Sequence, residues 1–571
     1  MPDLVVRDAL IVDGSGAPAR RGDIAIEAGR IVEVGGKSGP GRREIRAEGR
    51  VVTPGFVDVH THYDGQATWD PQLAPSSWHG VTTIVMGNCG VGFAPVRPDK
   101  HDYLIEVMEG VEDIPGTALH EGIPWGWESF PEYLDALGGM KRAIDVGAQA
   151  PHNVIRAYVM GERGAMNEDA TVEDIEGMAR IVREALNAGA LGFTASRTAV
   201  HRTAKGAHIP GYEVALDELI ALGRAVGETG KGSIGLNVDF LDEEREFAWI
   251  RRIRRESGRP TWFLLAQFND DPAKYARLLA RAAKASAEGE PIMAQVAGRP
   301  IGFCLGLEST LHPFISRPAY KAIAKLPLAE RVARLKDPAL RAELLGQKVS
   351  HKSDIMRTVT ERFDRMFRLG DPPDYEPAPE KSVAALARAR GVEPGEIALD
   401  MLLERDGQEM IFMPAFNYAA GDLSDVGKML AHPNTILGLS DGGAHCGLIC
   451  DASTPTFMLA HWARDRERGP KLSLEEVVRQ QTSGTCALYG LADRGMLKPG
   501  MKADLNLIDF DRLRLHAPEM VRDLPAGGRR LVQRAEGYAA TIVSGEVTFE
   551  EGKPTGALPG RLVRGAQKAP A

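Results

Sequence analysis

The sequence predicts an α/β protein: a (β/α)8 TIM-like barrel flanked by a small β-sandwich that both ends of the chain build together. Three observations carry that expectation. Residues 1–53 read as short β-type runs broken by turns, with no helical period. From residue 54 to 490, strands alternate with helical stretches, the pattern of parallel pairing through crossovers. From residue 491 to 560 the β-type texture returns.

In the first part, Leu4-Val5-Val6, Ala9–Val12, Ile24–Ile26 and Arg30–Val34 are strands, and Asp13-Gly14, Ala28-Gly29 and Gly35-Gly36 are the turns between them. The barrel strands are expected at Val51–His60, Thr82–Gly87, Val154–Met160, Leu191–Thr194, Ser233–Asp239, Thr261–Phe268, Ile292–Val296 and Thr435–Ser440. Helical stretches fall between them at Val172–Ala188, Glu213–Glu228, Glu243–Glu256 and Pro272–Ala287. Eight such units fit a closed barrel better than an open sheet, although Met410–Ala415 offers a ninth strand. Residues 297 to about 380, rich in Pro, Arg and Lys, break the rhythm and are expected to form a lid over the barrel mouth. Residues 502–508 and 540–543 complete the sandwich, and residues 561–571 read as a loose tail.

The chain has 571 residues, 43% of them hydrophobic, and a formal net charge of −9. That balance argues against a nucleic-acid or anionic-membrane surface and for a small-molecule partner. Five cysteines, an odd number with no disulfide spacing, suggest a reducing compartment. With no signal peptide at the N-terminus and no apolar run of membrane-spanning length, a cytoplasmic protein is expected. Self-association into identical subunits is left open.

Active sites of this barrel lie at the C-terminal ends of strands, and four residues with ligand chemistry fall there. His60 and His62 end the first strand, and on a strand side chains at i and i+2 share a face. Cys89 ends the second and Asp441 the eighth. Imidazole, thiolate and carboxylate together suit Zn²⁺ or a first-row neighbour. Ser196, Arg197, His201 and Arg202 follow strand four and are candidates to contact substrate. His445, four residues past Asp441, is a candidate proton carrier or a loop histidine. His152 is expected before strand three, the wrong end for catalysis. Trp125 and Trp127 could line a pocket or pack a loop.

At this point the sequence resembles the amidohydrolase superfamily and, within it, the N-acyl-D-amino-acid deacylases. The carriers are DGSGAPARRGDIAIEAGRIVEVG, TPGFVDVHTHYD, GVTTIVMGNCGVGFAPVRP, GFTASRTAVHRTAKGAHIPG and the closing GMLKPGMKADLNLID. The resemblance covers nearly the whole chain. It implies hydrolysis of an amide by metal-activated water, with His60, His62, Cys89 and Asp441 matching metal-site positions and Asp441 as general acid/base.

Three departures qualify it. Family members carry a metal-binding His at the ends of strands five and six; here those ends read GLNVDF and LLAQFN. No Lys lies in strands three or four to form a carbamylated bridge. One Zn²⁺ ion is therefore expected and a second is not. The family also follows its strand-eight Asp with an Arg that grips the substrate carboxylate, whereas Asp441 is followed by GGAHCGLIC. A linear, apolar N-acyl amide is thus the expected substrate, ahead of a free N-acyl-D-amino acid. A cyclic-amide or ester/lactone hydrolase on the same site is the first alternative, and a non-catalytic ligand-binding protein the second. Ser350-His351-Lys352 resembles the missing strand-six signature but lies in the insertion and is set aside.

Overall fold

Val51–Pro54 and Phe56–Asp58 are one β-branched run split at Gly55, and the split sends its halves into different sheets. A side chain at Gly55 would meet Thr82 Oγ1 at 2.1 Å, so the close approach of the neighbouring strand requires glycine. In the computed structural model, which describes residues 1–570, Val51–Pro54 runs parallel to Leu4–Ile11 and antiparallel to Leu505–Ile508. It thereby joins both ends of the chain in one nine-stranded sheet. Val6, Ile24, Ile26, Val52, Leu505 and Ile542 pack in its core.

Phe56–Asp58 opens a second assembly. It pairs in parallel with Val81–Met86, which pairs in parallel with Asp145–Ala148. A further parallel run orders Ala150–Pro151, Gly192–Arg197, Ser233–Val238, Thr261–Leu265, Ile292–Val296 and Thr435–Leu437. Backbone hydrogen bonds link the two runs at both seams: Leu191 N–H to Ala148 O at 2.8 Å, and Asp441 N–H to His60 O at 3.1 Å. The parallel strands therefore form a ring, with crossover helices around it. Val172–Ala188 shows why these form: Met178, Ile181, Val182 and Ala185 make a buried stripe, the Thr171–Asp174 capping box opens the helix, and Gly189 at φ 117° ends it. Such a cap is worth about 1 kcal/mol.

Three expectations need correction. Val154–Met160 is part of a helix, His152–Met160, and the third ring strand is Asp145–Ala148. A short apolar run does not distinguish strand from helix, and the true strand carries too little β-branched character to announce itself. The interruption after strand seven runs on to residue 434: Ile301–Leu305, Phe367–Arg368 and Ile411–Phe416 form their own antiparallel sheet. Leu305, Phe314, Val332, Leu344, Val383 and Ile411 build a separate core there, so the ninth strand belongs to the insertion. The tail is not loose. Gly560, Val563, Gly565 and Gln567 donate backbone hydrogen bonds to Arg142, Val146, Gly189 and Gly490, and Val563 is buried. No helix among the described residues is long and apolar enough to cross a membrane.

Candidate metal centre

The first ring strand continues past Asp58 into His60-Thr61-His62, and the alternation of an extended chain puts both imidazoles inward while Thr61 Oγ1 donates to Val85 O. The end of strand eight lies against it. His62 N–H donates to Gly442 O at 2.8 Å, and Ser440 Oγ donates to His60 O at 3.1 Å and to Asp58. These bonds set Asp441 opposite both histidines: its Oδ1 is 3.3 Å from His60 Nε2 and 3.8 Å from His62 Nε2. Cys89 closes the group, with Sγ 3.5 Å from His60 Nε2. One ligand atom from each of His60, His62 and Cys89 lies within 4.8 Å of the others.

The backbone is unusual here. Cys89, Asp441 and His445 adopt φ of 54°, 48° and 52°, a left-handed conformation that costs a non-glycine residue energy and tends to gather at functional sites.

Burial dominates the electrostatics. It lowers the His60 pKa to about 4 and His62 well below the ordinary imidazole value, so both rings are neutral. Burial, with the charges of Asp451 and Asp58, pushes Asp441 well up. Burial likewise raises Cys89, reinforced by Glu112 and Asp441. Neutral imidazoles are what a metal binds, and a cation would reverse the upward shifts of the thiol and the carboxyl. Two imidazoles and a thiol gathered closely, with a carboxylate facing both imidazoles, suit a zinc-type ion.

The other expected residues divide. Ser196 Oγ lies 3.0 Å from His201 Nδ1. Burial, then the charges of His445 and His60, lowers His201 to about 3. His445 Nε2 is 3.6 Å from Glu112 Oε2. Arg197 does not join them. One residue beyond Ser196 on the strand, it points to the opposite face, donating to Val214 O and feeling the charge of Glu246. Arg202 donates to Gly206 O at 3.0 Å within its own loop. His152 follows strand three, yet its Nε2 is bound to Glu218 at 2.7 Å, away from the cluster. Trp127 donates to Phe93 O, Trp125 stacks on His101, and His351 is bound to Ser316 in the insertion.

Two residues escaped the sequence reading. Gln295, on the seventh strand, accepts from His60 Nδ1 at 2.5 Å. Glu112, only 2% exposed, sits with Oε1 3.3 Å from His62 Nδ1. A signal for Glu112 was present: Leu104, Met108 and Glu112 are spaced by four, so the acid continues the buried stripe of the helix His101–Glu112. At the ends of strands five and six, Asn237 Nδ2 approaches Cys89 Sγ at 3.9 Å, whereas Gln267 bonds to Asn417, Ala419 and Asp425 of the insertion.

The model of the amidohydrolase family matches residues 43–549. The chain is 26% identical to the D-aminoacylase of Alcaligenes xylosoxydans xylosoxydans over 98% of its own length and 97% of that protein's. It is 27% identical to the N-acyl-D-aspartate deacylase of the same organism, over 98% and 95% of the two chains. Among solved structures, the N-acyl-D-glutamate deacylase of Bordetella bronchiseptica, complexed with zinc and a phosphonate mimic of the tetrahedral intermediate, superposes with a TM-score of 0.65 at 23% identity, covering 99% of each chain. A match across so much of the length, on a ring of parallel strands with these side chains at its strand ends, places the chain in the amidohydrolase family, beside the N-acyl-D-amino-acid deacylases.

Proposed function

We propose that this protein hydrolyses the C–N bond of a linear N-acyl amide, on a (β/α)8 barrel whose terminal segments form the accompanying β-sandwich. The reading rests on one observation above the rest: Asp441 Oδ1 faces the Nε2 atoms of both His60 and His62. His60, His62, Cys89 and Asp441 would hold one zinc ion. Bound there, zinc supplies Lewis acidity toward the amide carbonyl and the attacking water. His60 offers a neutral Nε2 because Gln295 occupies its Nδ1. Asp441 takes the proton of the attacking water at a carboxylate oxygen and delivers it to the leaving nitrogen. Ser196 and His201, linked at 3.0 Å, would offer hydrogen bonds to the substrate amide. His445 stands at its solvent edge, with 24% of its side chain exposed.

The charge pattern supports a substrate without a free carboxylate. Among the described residues, the ion-pair partners of Asp441 and Glu112 are histidines alone. No Lys or Arg pairs with either acid, and Arg197 faces away. Neither acid brings an Arg, the natural bidentate partner of a carboxylate, to the centre.

The test is metal content by elemental mass spectrometry, with amide hydrolysis assayed on the same protein before and after chelation. About one zinc per chain, with activity lost on chelation and restored by metal, is expected. Activity that survives complete metal removal would sink the reading. Hydantoins and lactones assayed beside linear amides would expose the cyclic-substrate alternative.

A further inference from the structure

The two histidines of the centre are held differently from behind. His60 Nδ1 meets the neutral amide oxygen of Gln295. His62 Nδ1 is buried and has no aligned hydrogen-bond partner, and Glu112 Oε1 lies 3.3 Å from it. The second oxygen of that carboxylate faces His445 Nε2 at 3.6 Å, and the Glu112 backbone carbonyl accepts the His445 N–H. Glu112 thus touches His62 on one side and the loop after Asp441 on the other.

We propose that Glu112 is a positioning residue for the metal centre: it accepts Nδ1–H of His62, fixes that ring with Nε2 inward, and ties the His445 loop to the helix His101–Glu112. The inference rests on the metal reading above. The physical argument is one of cost. Glu112 is a buried carboxyl group, 2% exposed, whose ion-pair partners are histidines, with no Lys or Arg partner among the described residues. Such a group destabilises a fold unless something compensates it. A positively charged ion beyond His62 compensates it through the imidazole, because a carboxylate behind a histidine raises that ligand's basicity.

This produces opposite effects in the metal-free and metal-loaded protein, which packing alone would not. The measurements are Zn²⁺ affinity by competition with a chromophoric chelator and the melting temperature of metal-free protein. Glu112→Leu, close in volume but without an acceptor, is expected to weaken Zn²⁺ binding by roughly 10–100-fold while the metal-free protein melts no lower than wild type. Glu112→Gln is expected to recover most of the affinity, since an amide oxygen already serves His60. Wild-type zinc affinity in Glu112→Leu overturns the inference alone. Failure of Glu112→Gln to bind better than Glu112→Leu also overturns it. A wild-type protein that binds no zinc overturns the metal reading and this inference with it.

Discussion

Gln295 Oε1 lies 2.5 Å from His60 Nδ1, joining the seventh ring strand to the end of the first across 235 residues of sequence. The bond leaves His60 Nε2 to face Asp441 and Cys89. Removing it in Gln295→Leu should weaken zinc binding by about 10–100-fold with little loss of stability. Gly438→Ala should act similarly, because its new Cβ would stand 2.5 Å from Gln295 Cδ and push the amide aside. Chelator competition measures both, and unchanged affinity in Gln295→Leu would discard the role.

Asp441→Asn removes the carboxylate proposed to move the proton but keeps its shape. Metal should be retained in part by His60, His62 and Cys89, while kcat falls by about 10²–10⁴-fold. Metal content and kcat measured on one preparation check this. Turnover near wild type would remove Asp441 from the proton step.

Among substrates, an N-acyl-D-amino acid amide should be cleaved with higher kcat/KM than the same compound with a free carboxylate. A charge-assisted hydrogen bond is worth about 1.5–3 kcal/mol, so an enzyme without the gripping Arg should favour the neutral amide by roughly tenfold or more. Paired kinetic assays decide it; the reverse preference would mean that another cation receives the carboxylate.

Asp145 ties the ring to the C-terminal segments. Its Oδ2 is 2.6 Å from Arg494 Nη1 and 2.9 Å from Lys502 Nζ, and its Oδ1 accepts Arg561 N–H. Burial raises its pKa, but Lys502 and Arg494 outweigh burial and bring it from the ordinary 3.8 down to about 2. A depressed carboxyl stabilises the fold above its unfolded pKa and loses that contribution as pH falls through its folded one. Stability from this group should therefore be level above pH 4 and decline from there toward pH 2. Asp145→Asn should destabilise the fold at neutral pH by less than the ~3–5 kcal/mol of a fully stranded buried ion, because Arg494 keeps its pair with Asp493, and should flatten that acid decline. Denaturant melts across pH test both statements.

What the sequence determined by itself is what short-range geometry dictates. His60 and His62 two apart on a strand must share a face, and Cys89 and Asp441 at strand ends must reach the same rim if the strands close into a ring. The stripe from Met178 to Leu186 makes a helix wherever it is placed. What only the tertiary structure decided depends on partners far along the chain. His152–Met160 is helical because its buried face, Val154, Ile155 and Met160, packs as a helix. Residues 559–567 are ordered because Arg142, Val146, Gly189 and Gly490 present free carbonyls to them. Arg197 turns from the centre because its strand register gives that face to Ser196. Glu112 and Gln295 enter the centre because folding brings a helix end and a distant strand behind two histidines, and a buried Nδ1–H must find an acceptor wherever the chain supplies one.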